Sequence, residues 1–150
     1  MNELHERIAA LLARSPFPAD LSISLVAVEP GCATVSMPLV PRLAQYAGLL
    51  HGGAVASILD TVAMMAFHSN LPAGKDVVTI DLSVHYLAAI RFPAPRSEPA
   101  GEPAAITATA REIHHGRTTC VAEAELFAPD GRLAAKGIFT GMIAPCRSRS

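Results

Sequence analysis

Residues 49–67, LLHGGAVASILDTVAMMAF, hold one histidine, two adjacent glycines and one carboxylate in an otherwise apolar run. Burying a carboxylate without a partner costs several kcal/mol. Asp60 falls in the middle of a predicted helix, where the backbone has no free N–H to offer, because only the ends of a helix leave such groups unpaired. The position therefore favours chemistry over packing, with Asp60 as a general base for a water or as a nucleophile.

The start of the same helix supplies a second chemical group. Its first turn presents unpaired N–H groups and a partial positive charge, which suit a carbonyl oxygen that becomes negative when the carbon is attacked. Gly52 and Gly53 leave the approach to these donors open, although both glycines also permit a sharp entry turn. His51 is interpreted as a positioning residue, since a histidine ahead of a helix often caps it.

His51 and Asp60 are nine residues apart, which turns them to opposite sides of a helix and separates them by roughly 13 Å along it. They cannot meet within one chain. If two such helices lay antiparallel across a two-fold axis, Gly52 of one copy would lie beside Asp60 of the other. A site shared in this way would occur twice in each dimer.

The central helix has two distinct sides. An apolar stripe at helical spacing is predicted to press on a sheet, and it comprises Val55, Ile58, Leu59, Val62, Met65 and Ala66. The other side carries small or apolar residues around Asp60, namely Gly53, Ala56, Ser57, Ala63, Met64 and Phe67. A homodimer is predicted to cover that second side, because small residues let another backbone approach closely.

Alternating apolar residues predict strands on both sides of this helix. Residues 22–39 form a hairpin about a turn at Pro30 and Gly31, and residues 76–87 form a long strand with Val78, Ile80, Leu82, Val84 and Tyr86 on one face. Residues 104–114, 117–127 and 132–143 form a meander. One buried helix with antiparallel strands predicts an α+β domain, in which a sheet of five to six strands wraps around the helix.

Length and composition predict one domain over residues 1–150, since 51% of the residues are apolar and 17% are charged. Residues 1–18 are predicted to form an amphipathic helix and a lead-in, with Pro16 and Pro18 ending the helix. Residues 91–103 are predicted to be an exposed loop, and residues 144–150 a frayed tail.

Charge and cysteine usage exclude several classes of partner. The net charge of −1, without a cluster of basic and aromatic residues, argues against nucleic acid. No apolar run is long enough to span a membrane. The histidines show no i, i+4 pairing with a carboxylate, so no metal site is predicted. Three widely spaced cysteines and an acidic amino terminus favour reduced thiols and a cytoplasmic location.

The stretch GLLHGGAVASILDTVAMMA, residues 48–66, resembles the HGG(x)nD signature of the PaaI-like branch of hotdog-fold acyl-CoA thioesterases, and the similarity covers roughly residues 20–143. The resemblance implies a dimeric or tetrameric hotdog fold that hydrolyses an acyl-CoA or aryl-CoA thioester at a site shared by two subunits. In that family the carboxylate nine positions after the histidine is the base or nucleophile, which is Asp60. The glycine after the histidine, Gly52, supplies the N–H that polarises the thioester carbonyl.

Other positions acquire roles only through the resemblance. Gln45, six positions before the histidine, matches an amide that positions water or substrate, and Thr79 matches a hydroxyl on the following strand. Arg117, in HHGRTT, matches basic residues that contact CoA phosphates. Gly53 and Met64 complete the substrate-binding candidates, and Met64 stands where some relatives carry a hydroxyl, which makes the acyl pocket more apolar.

The expected partners are an acyl-CoA substrate and a second copy of the chain, with a homotetramer left open. CoA belongs to the substrate, and no retained cofactor is expected. Two other functions stay open. A hotdog dehydratase or hydratase uses a histidine beside a carboxylate, and the nine-residue separation argues against it. A non-catalytic acyl-CoA-binding protein would bind the same ligand without releasing free CoA.

Overall fold

The computed structural model describes residues 3–92 and 103–146 of the chain. Three α-helices, a 3-10 helix and six strands follow one another as α1 (Glu3–Ala13), α2 (Pro16–Asp20), β1 (Ser24–Glu29), β2 (Cys32–Pro38), the 3-10 helix (Pro41–Leu43), α3 (Gly52–Asn70), β3 (Lys75–Tyr86), β4 (Ala105–His115), β5 (Thr119–Phe127) and β6 (Leu133–Pro145). All strand pairs are antiparallel, and their order in the sheet is β1-β2-β4-β5-β6-β3. The predicted α+β architecture is confirmed, with six strands in the sheet.

The long helix α3 lies against the sheet as the apolar stripe predicted. Its stripe residues are buried, and Ile58, Leu59 and Val62 are fully inaccessible. On the other side of α3, Ala63 and Phe67 are also fully buried within the chain itself. The rest of that side is half-buried around Asp60 and exposed at Gly53, so the part that needs an external cover is smaller than the sequence predicted.

Close packing at Gly141 brings α3 near the sheet beside the Asp60 segment. A Cβ atom at Gly141 would lie 2.6 Å from Val77 Cγ2 and 3.2 Å from the ring of Phe67. Because such contacts are shorter than van der Waals distance, only glycine fits here. Gly141 pairs with Thr79 across the two strands, so this contact also sets the distance between α3 and Thr79.

A β-bulge in β3 contradicts the prediction that its apolar residues share one face. Thr79 pairs with Gly141 and Asp81 pairs with Thr140, so Ile80 is an extra residue in β3. An extra residue reverses the alternation of side chains between the two faces of a strand.

The bulge divides the apolar residues of β3 between the two faces of the sheet. Val78 lies before it, pairs with Met142 and is 52% exposed on the face away from α3. Leu82 and Tyr86 lie after it and contact groups on the α3 side. Strand periodicity alone cannot reveal this reversal, because a single extra residue leaves the apolar content of the strand unchanged.

The chain termini differ from their predicted form at two points. Pro16 and Pro18 do not simply end a helix, because Pro16 begins the second helix α2. Proline suits the first turn of a helix, where its fixed φ fits and its missing N–H is not needed. Strand β6 continues through residue 144 to Pro145, so the predicted tail from 144 is partly strand. Residues 147–150 and most of the predicted loop at 91–103 lie outside the described residues.

Strand β3 forms one edge of the sheet in the described part of the chain. It is 12 residues long, and Ile80, Leu82 and Tyr86 are among its exposed large apolar side chains. A long apolar edge of this kind is a surface on which another strand can pair.

Among the helices of residues 3–92 and 103–146, none has the length and apolar character needed to cross a membrane.

Candidate active site

Asp60 has one hydrogen-bond partner from the sheet. It projects from the middle of α3 and is half-buried. The Thr79 hydroxyl donates to Asp60 Oδ1 at 2.7 Å. Thr79 reaches it from β3, just before the bulge, where it pairs with Gly141 on the face of the sheet that packs on α3. The structure therefore brings together the predicted carboxylate and the predicted strand hydroxyl.

The environment of Asp60 changes its ionisation. Burial raises the pKa of Asp60 above its usual value, and the hydrogen bond from Thr79 opposes this shift. A folded-state pKa above the unfolded value means that the folded chain binds more protons between these two values. Stability contributed by Asp60 is thus present below the usual aspartate pKa and falls as the pH rises through the folded value. The ionised form of Asp60 therefore lowers the stability of the folded chain, as is typical of functional groups.

The start of α3 is capped by its own histidine. His51 is the N-cap residue, with φ −64° and ψ 135°, and its Nδ1 accepts the Gly53 N–H at 2.8 Å. An accepting Nδ1 carries no proton, so the remaining hydrogen of a neutral ring is on Nε2. His51 therefore caps the helix and occupies the Gly53 donor, and its role in positioning the site stays a prediction.

One donor of the first turn stays unused. Ala54 and Val55 donate to the His51 carbonyl oxygen at 2.9 and 3.2 Å, and Gly53 donates to the His51 ring. The Gly52 N–H has no acceptor within residues 3–92 and 103–146. Gly52 therefore offers the free backbone donor at the positive end of α3.

Tyr86, the last residue of β3, contacts the start of α3, and the sequence did not predict this contact. Its hydroxyl donates to the Gly52 carbonyl oxygen at 3.0 Å, and its ring lies 3.4 Å from where a Gly52 Cβ would be. The bond ties the end of β3 to the first residue of α3. Only knowledge of the bulge could have found it, since the bulge is what turns Tyr86 toward α3.

Gln45 lies beside the same helix start. Its Oε1 accepts the Ala47 N–H, and its backbone N–H donates to the Leu49 carbonyl oxygen at 2.8 Å, which fixes a tight loop before α3. Gln45, Gly52 and Tyr86 line one cavity of about 320 Å³, here called the Gly52 cavity. The structure thus brings the predicted amide and the predicted backbone donor together.

Asp60 opens into a different cavity of about 430 Å³, here called the Asp60 cavity. Its lining includes Asp60, Met64, Leu82, Leu11, Phe17 and His68. Gly52 and Asp60 are eight residues apart on α3, which corresponds to about 12 Å along its axis. Within one chain the candidate residues therefore form two separate groups.

Arg117 joins neither group within the chain. It is exposed in the bend between β4 and β5. That hairpin reaches the far end of α3, where Asn70 Nδ2 donates to Glu112 Oε2 at 2.7 Å. Asn70 is ten residues after Asp60, or about 15 Å along the helix. Among the described residues, Arg117 lines neither the Asp60 cavity nor the Gly52 cavity.

Metal binding has no visible basis in the described ranges, where no three histidine, cysteine, aspartate or glutamate side chains cluster. The absence of a metal nevertheless stays a prediction, as does the absence of a retained cofactor.

Comparison with known proteins identifies the family. The model of the thioesterase superfamily matches residues 47–95, which include the whole helix α3 and β3. PA1618 of Pseudomonas aeruginosa, whose name proposes an esterase function, is 30% identical over 131 residues, covering 87% of this chain and 83% of that protein. The chain belongs to the thioesterase superfamily. At the level of the family its activity is acyl-CoA thioesterase-type hydrolysis.

Solved structures of this thioesterase family share the fold. A mutant of thioesterase PA1618 superposes with a TM-score of 0.79 at 27% identity, covering 95% of this chain and 94% of that one. A hypothetical thioesterase of Streptococcus pneumoniae, solved with coenzyme A, gives 0.70 at 26% identity and covers 84% and 88%. Escherichia coli PaaI gives 0.75 at 21% identity over 93% and 95%, a likeness of fold. The predicted hotdog thioesterase fold is confirmed.

The Thr79 hydroxyl is expected to control the ionisation of Asp60. In the variant Thr79→Val the hydrogen bond that lowers the pKa of Asp60 is lost, so the carboxyl should titrate at a higher pH than in the wild type. Thr79→Ser keeps a hydroxyl and should titrate close to the wild type. Carbon NMR of the Asp60 carboxyl during a pH titration measures all three proteins. A Thr79→Val titration at or below the wild-type pH would contradict the assignment.

Proposed function

We propose that the chain hydrolyses an acyl-CoA or aryl-CoA thioester at a site shared by two copies. One copy supplies Asp60 as base or nucleophile, and the other supplies the Gly52 N–H that polarises the thioester carbonyl. The observation that carries this proposal is the separation of a half-buried carboxylate and an unused helix-start donor by about 12 Å on one helix. Each group lacks what the other provides.

The exposed edge of the sheet supports self-association. Two β3 edges pairing antiparallel would continue the sheet across a two-fold axis and cover their apolar side chains. The same axis would place two α3 helices antiparallel, with the start of one facing the middle of the other. We propose a homodimer as the functional unit, with a homotetramer left open.

The reaction can follow either of two routes. As a base, Asp60 takes a proton from water, whose oxygen forms a bond to the carbonyl carbon while the carbonyl oxygen accepts the Gly52 N–H. The carbon–sulfur bond then breaks, and the CoA thiolate recovers the proton from Asp60. As a nucleophile, Asp60 instead bonds to the carbonyl carbon and expels CoA, and water hydrolyses the resulting anhydride. The raised pKa of Asp60 makes it a stronger base than an exposed aspartate.

The remaining candidates have supporting roles. Gln45 borders the Gly52 cavity and is proposed to position water or the thioester. His51 and Tyr86 hold Gly52 from two sides, the first through the capped Gly53 and the second through the Gly52 carbonyl. Met64 contributes to the acyl site, and Arg117 is proposed to meet the CoA phosphates. Coenzyme A in the related Streptococcus pneumoniae structure supports CoA as the ligand class.

In the proposed reaction CoA is the leaving group, no retained cofactor or metal takes part, and the enzyme is cytoplasmic. A dehydratase or hydratase is disfavoured because the His51 ring nitrogen Nδ1 is occupied by the Gly53 N–H. A non-catalytic acyl-CoA-binding protein remains an outcome of the test below.

Replacement of the carboxylate is expected to stop turnover. Asp60→Asn removes the base or nucleophile and should lower kcat for thiol release from acyl-CoA substrates by about 10²-fold or more. The variant should be at least as stable as the wild type at neutral pH, because it removes a half-buried charge. The exposed carboxylate variant Asp130→Asn serves as a matched control and should retain its activity. Saturable acyl-CoA binding by the wild type without release of thiol would indicate the non-catalytic alternative.

Removal of the Gly52 donor is also testable, because Gly52 is the first residue of α3. Proline is accepted at this position and has no N–H, and the preceding His51 already has the extended ψ of 135° that proline requires. Gly52→Pro should lower kcat by roughly 10²–10³-fold. Gly52→Ala keeps the N–H, and its Cβ would make an ordinary 3.4 Å contact with Tyr86, so its loss should be much smaller. Equal losses in both variants would assign Gly52 a steric role instead.

A further inference from the structure

The Asp60 cavity indicates the chemical class of the substrate. We propose that it binds the acyl part of the thioester, and that this part is an uncharged apolar group, aryl or alkyl, with Phe17 as a specificity-determining residue. This inference rests on the proposed function, because it takes Asp60 as the group next to the scissile carbonyl. The cavity of about 430 Å³ has room for roughly fourteen water-sized groups, which corresponds to an acyl group of on the order of ten carbon atoms.

Two walls of different origin form this cavity. Helix α3 contributes Ala56 and Met64 on either side of Asp60, and β3 contributes Leu82. The opposite wall comes from the amino-terminal segment, with Leu11 from α1 and Phe17 from α2. An acyl chain attached at a carbonyl beside Asp60 would therefore extend between α3 and the amino-terminal helices.

The hydroxyl groups that line the cavity already donate elsewhere. Ser57 donates to the Gly53 carbonyl oxygen at 2.7 Å, Thr61 to the Ser57 carbonyl oxygen at 2.8 Å, and Ser15 to the Leu11 carbonyl oxygen at 3.2 Å. A ligand carbonyl placed here would find these hydrogens engaged, and an unsatisfied polar group is costly to bury. The cavity thus suits hydrocarbon better than the amide-rich arm of CoA.

The charges around the cavity disfavour an anionic acyl group. Its titratable lining groups are Asp60 and His68. Burial lowers the pKa of His68, with Asp76 opposing and Arg7 reinforcing the effect, so His68 is neutral at neutral pH. The Arg7 guanidinium is directed to the carbonyl oxygens of His68 and Ser69. No cationic side chain of the described residues lines the cavity, and Asp60 would repel a second carboxylate.

Phe17 lines the cavity from the short helix α2. Its side chain is 61% exposed, and it lies between Pro16 and Pro18, whose rings fix the local backbone. The backbone N–H of Leu21 donates to the Phe17 carbonyl oxygen, which keeps the short helix closed. A ligand that covers this ring buries apolar surface without ordering a mobile loop. Phe17 should therefore discriminate between long and short acyl groups.

A panel of acyl-CoA thioesters tests the inference. Hexanoyl-CoA and adipoyl-CoA form a matched pair, because the second ends in a carboxylate. The wild type should show at least about ten-fold higher kcat/KM for hexanoyl-CoA. Phe17→Ala should lower kcat/KM for octanoyl-CoA and phenylacetyl-CoA by roughly ten-fold and leave acetyl-CoA within about two-fold. Val26→Ala, a similarly exposed apolar position on β1 outside the cavity, should change none of these values.

The outcomes separate the possibilities. A higher kcat/KM for phenylacetyl-CoA than for octanoyl-CoA assigns the aryl form of the substrate, and the reverse order assigns the alkyl form. Equal kcat/KM for hexanoyl-CoA and adipoyl-CoA overturns the inference. So does a Phe17→Ala variant that affects acetyl-CoA as much as the longer substrates, or that affects none of them.

Failure of the proposed function would be recognised separately. If the wild type hydrolyses no member of the panel, hydrolysis itself is wrong. Calorimetric titration of the wild type with hexanoyl-CoA and adipoyl-CoA then tests the cavity alone. Tighter binding of hexanoyl-CoA supports the acyl site, and equal affinities overturn it.

Discussion

The half-buried carboxylate of Asp60 is the constraint on which the other features of the site depend. It lies in the middle of α3, where the backbone has no donor to offer, and a single hydroxyl from Thr79 compensates for lost water. That hydroxyl reaches Asp60 because Gly141 lets the sheet approach α3 closely, and because Thr79 precedes the bulge in β3. Packing, strand irregularity and an altered pKa are thus parts of one arrangement.

The geometry of a straight helix explains why the proposed site needs two copies of the chain. The donor that can stabilise a negative oxygen must lie at the helix start, and a desolvated carboxylate lies in its middle. A single helix cannot bring the two together, whereas two antiparallel helices can. The exposed edge of β3 provides the surface for such pairing, and Tyr86, at the end of that edge, holds the Gly52 backbone. In the proposed dimer, self-association and chemistry therefore depend on the same strand.

Local patterns predicted much of this molecule. The apolar stripe of α3 and the alternation of the strands gave the architecture, and the position of Asp60 in an apolar helix marked it as unusual. The bulge at Ile80 was missed because the pairing partner, and not the residue itself, decides where an extra residue fits. Tyr86 was missed for the same reason. The helix α2 was missed because proline both ends and begins helices, and with it the wall formed by Phe17.

Mixed dimers test the shared site most directly. Asp60→Asn and Gly52→Pro protomers, each inactive alone, are denatured together in equal amounts and refolded, and thiol release is measured. If each site combines Asp60 of one copy with Gly52 of the other, a mixed dimer contains one intact site, and random pairing restores about a quarter of the wild-type activity. Activity no greater than that of either variant refolded alone would contradict a site shared between two copies.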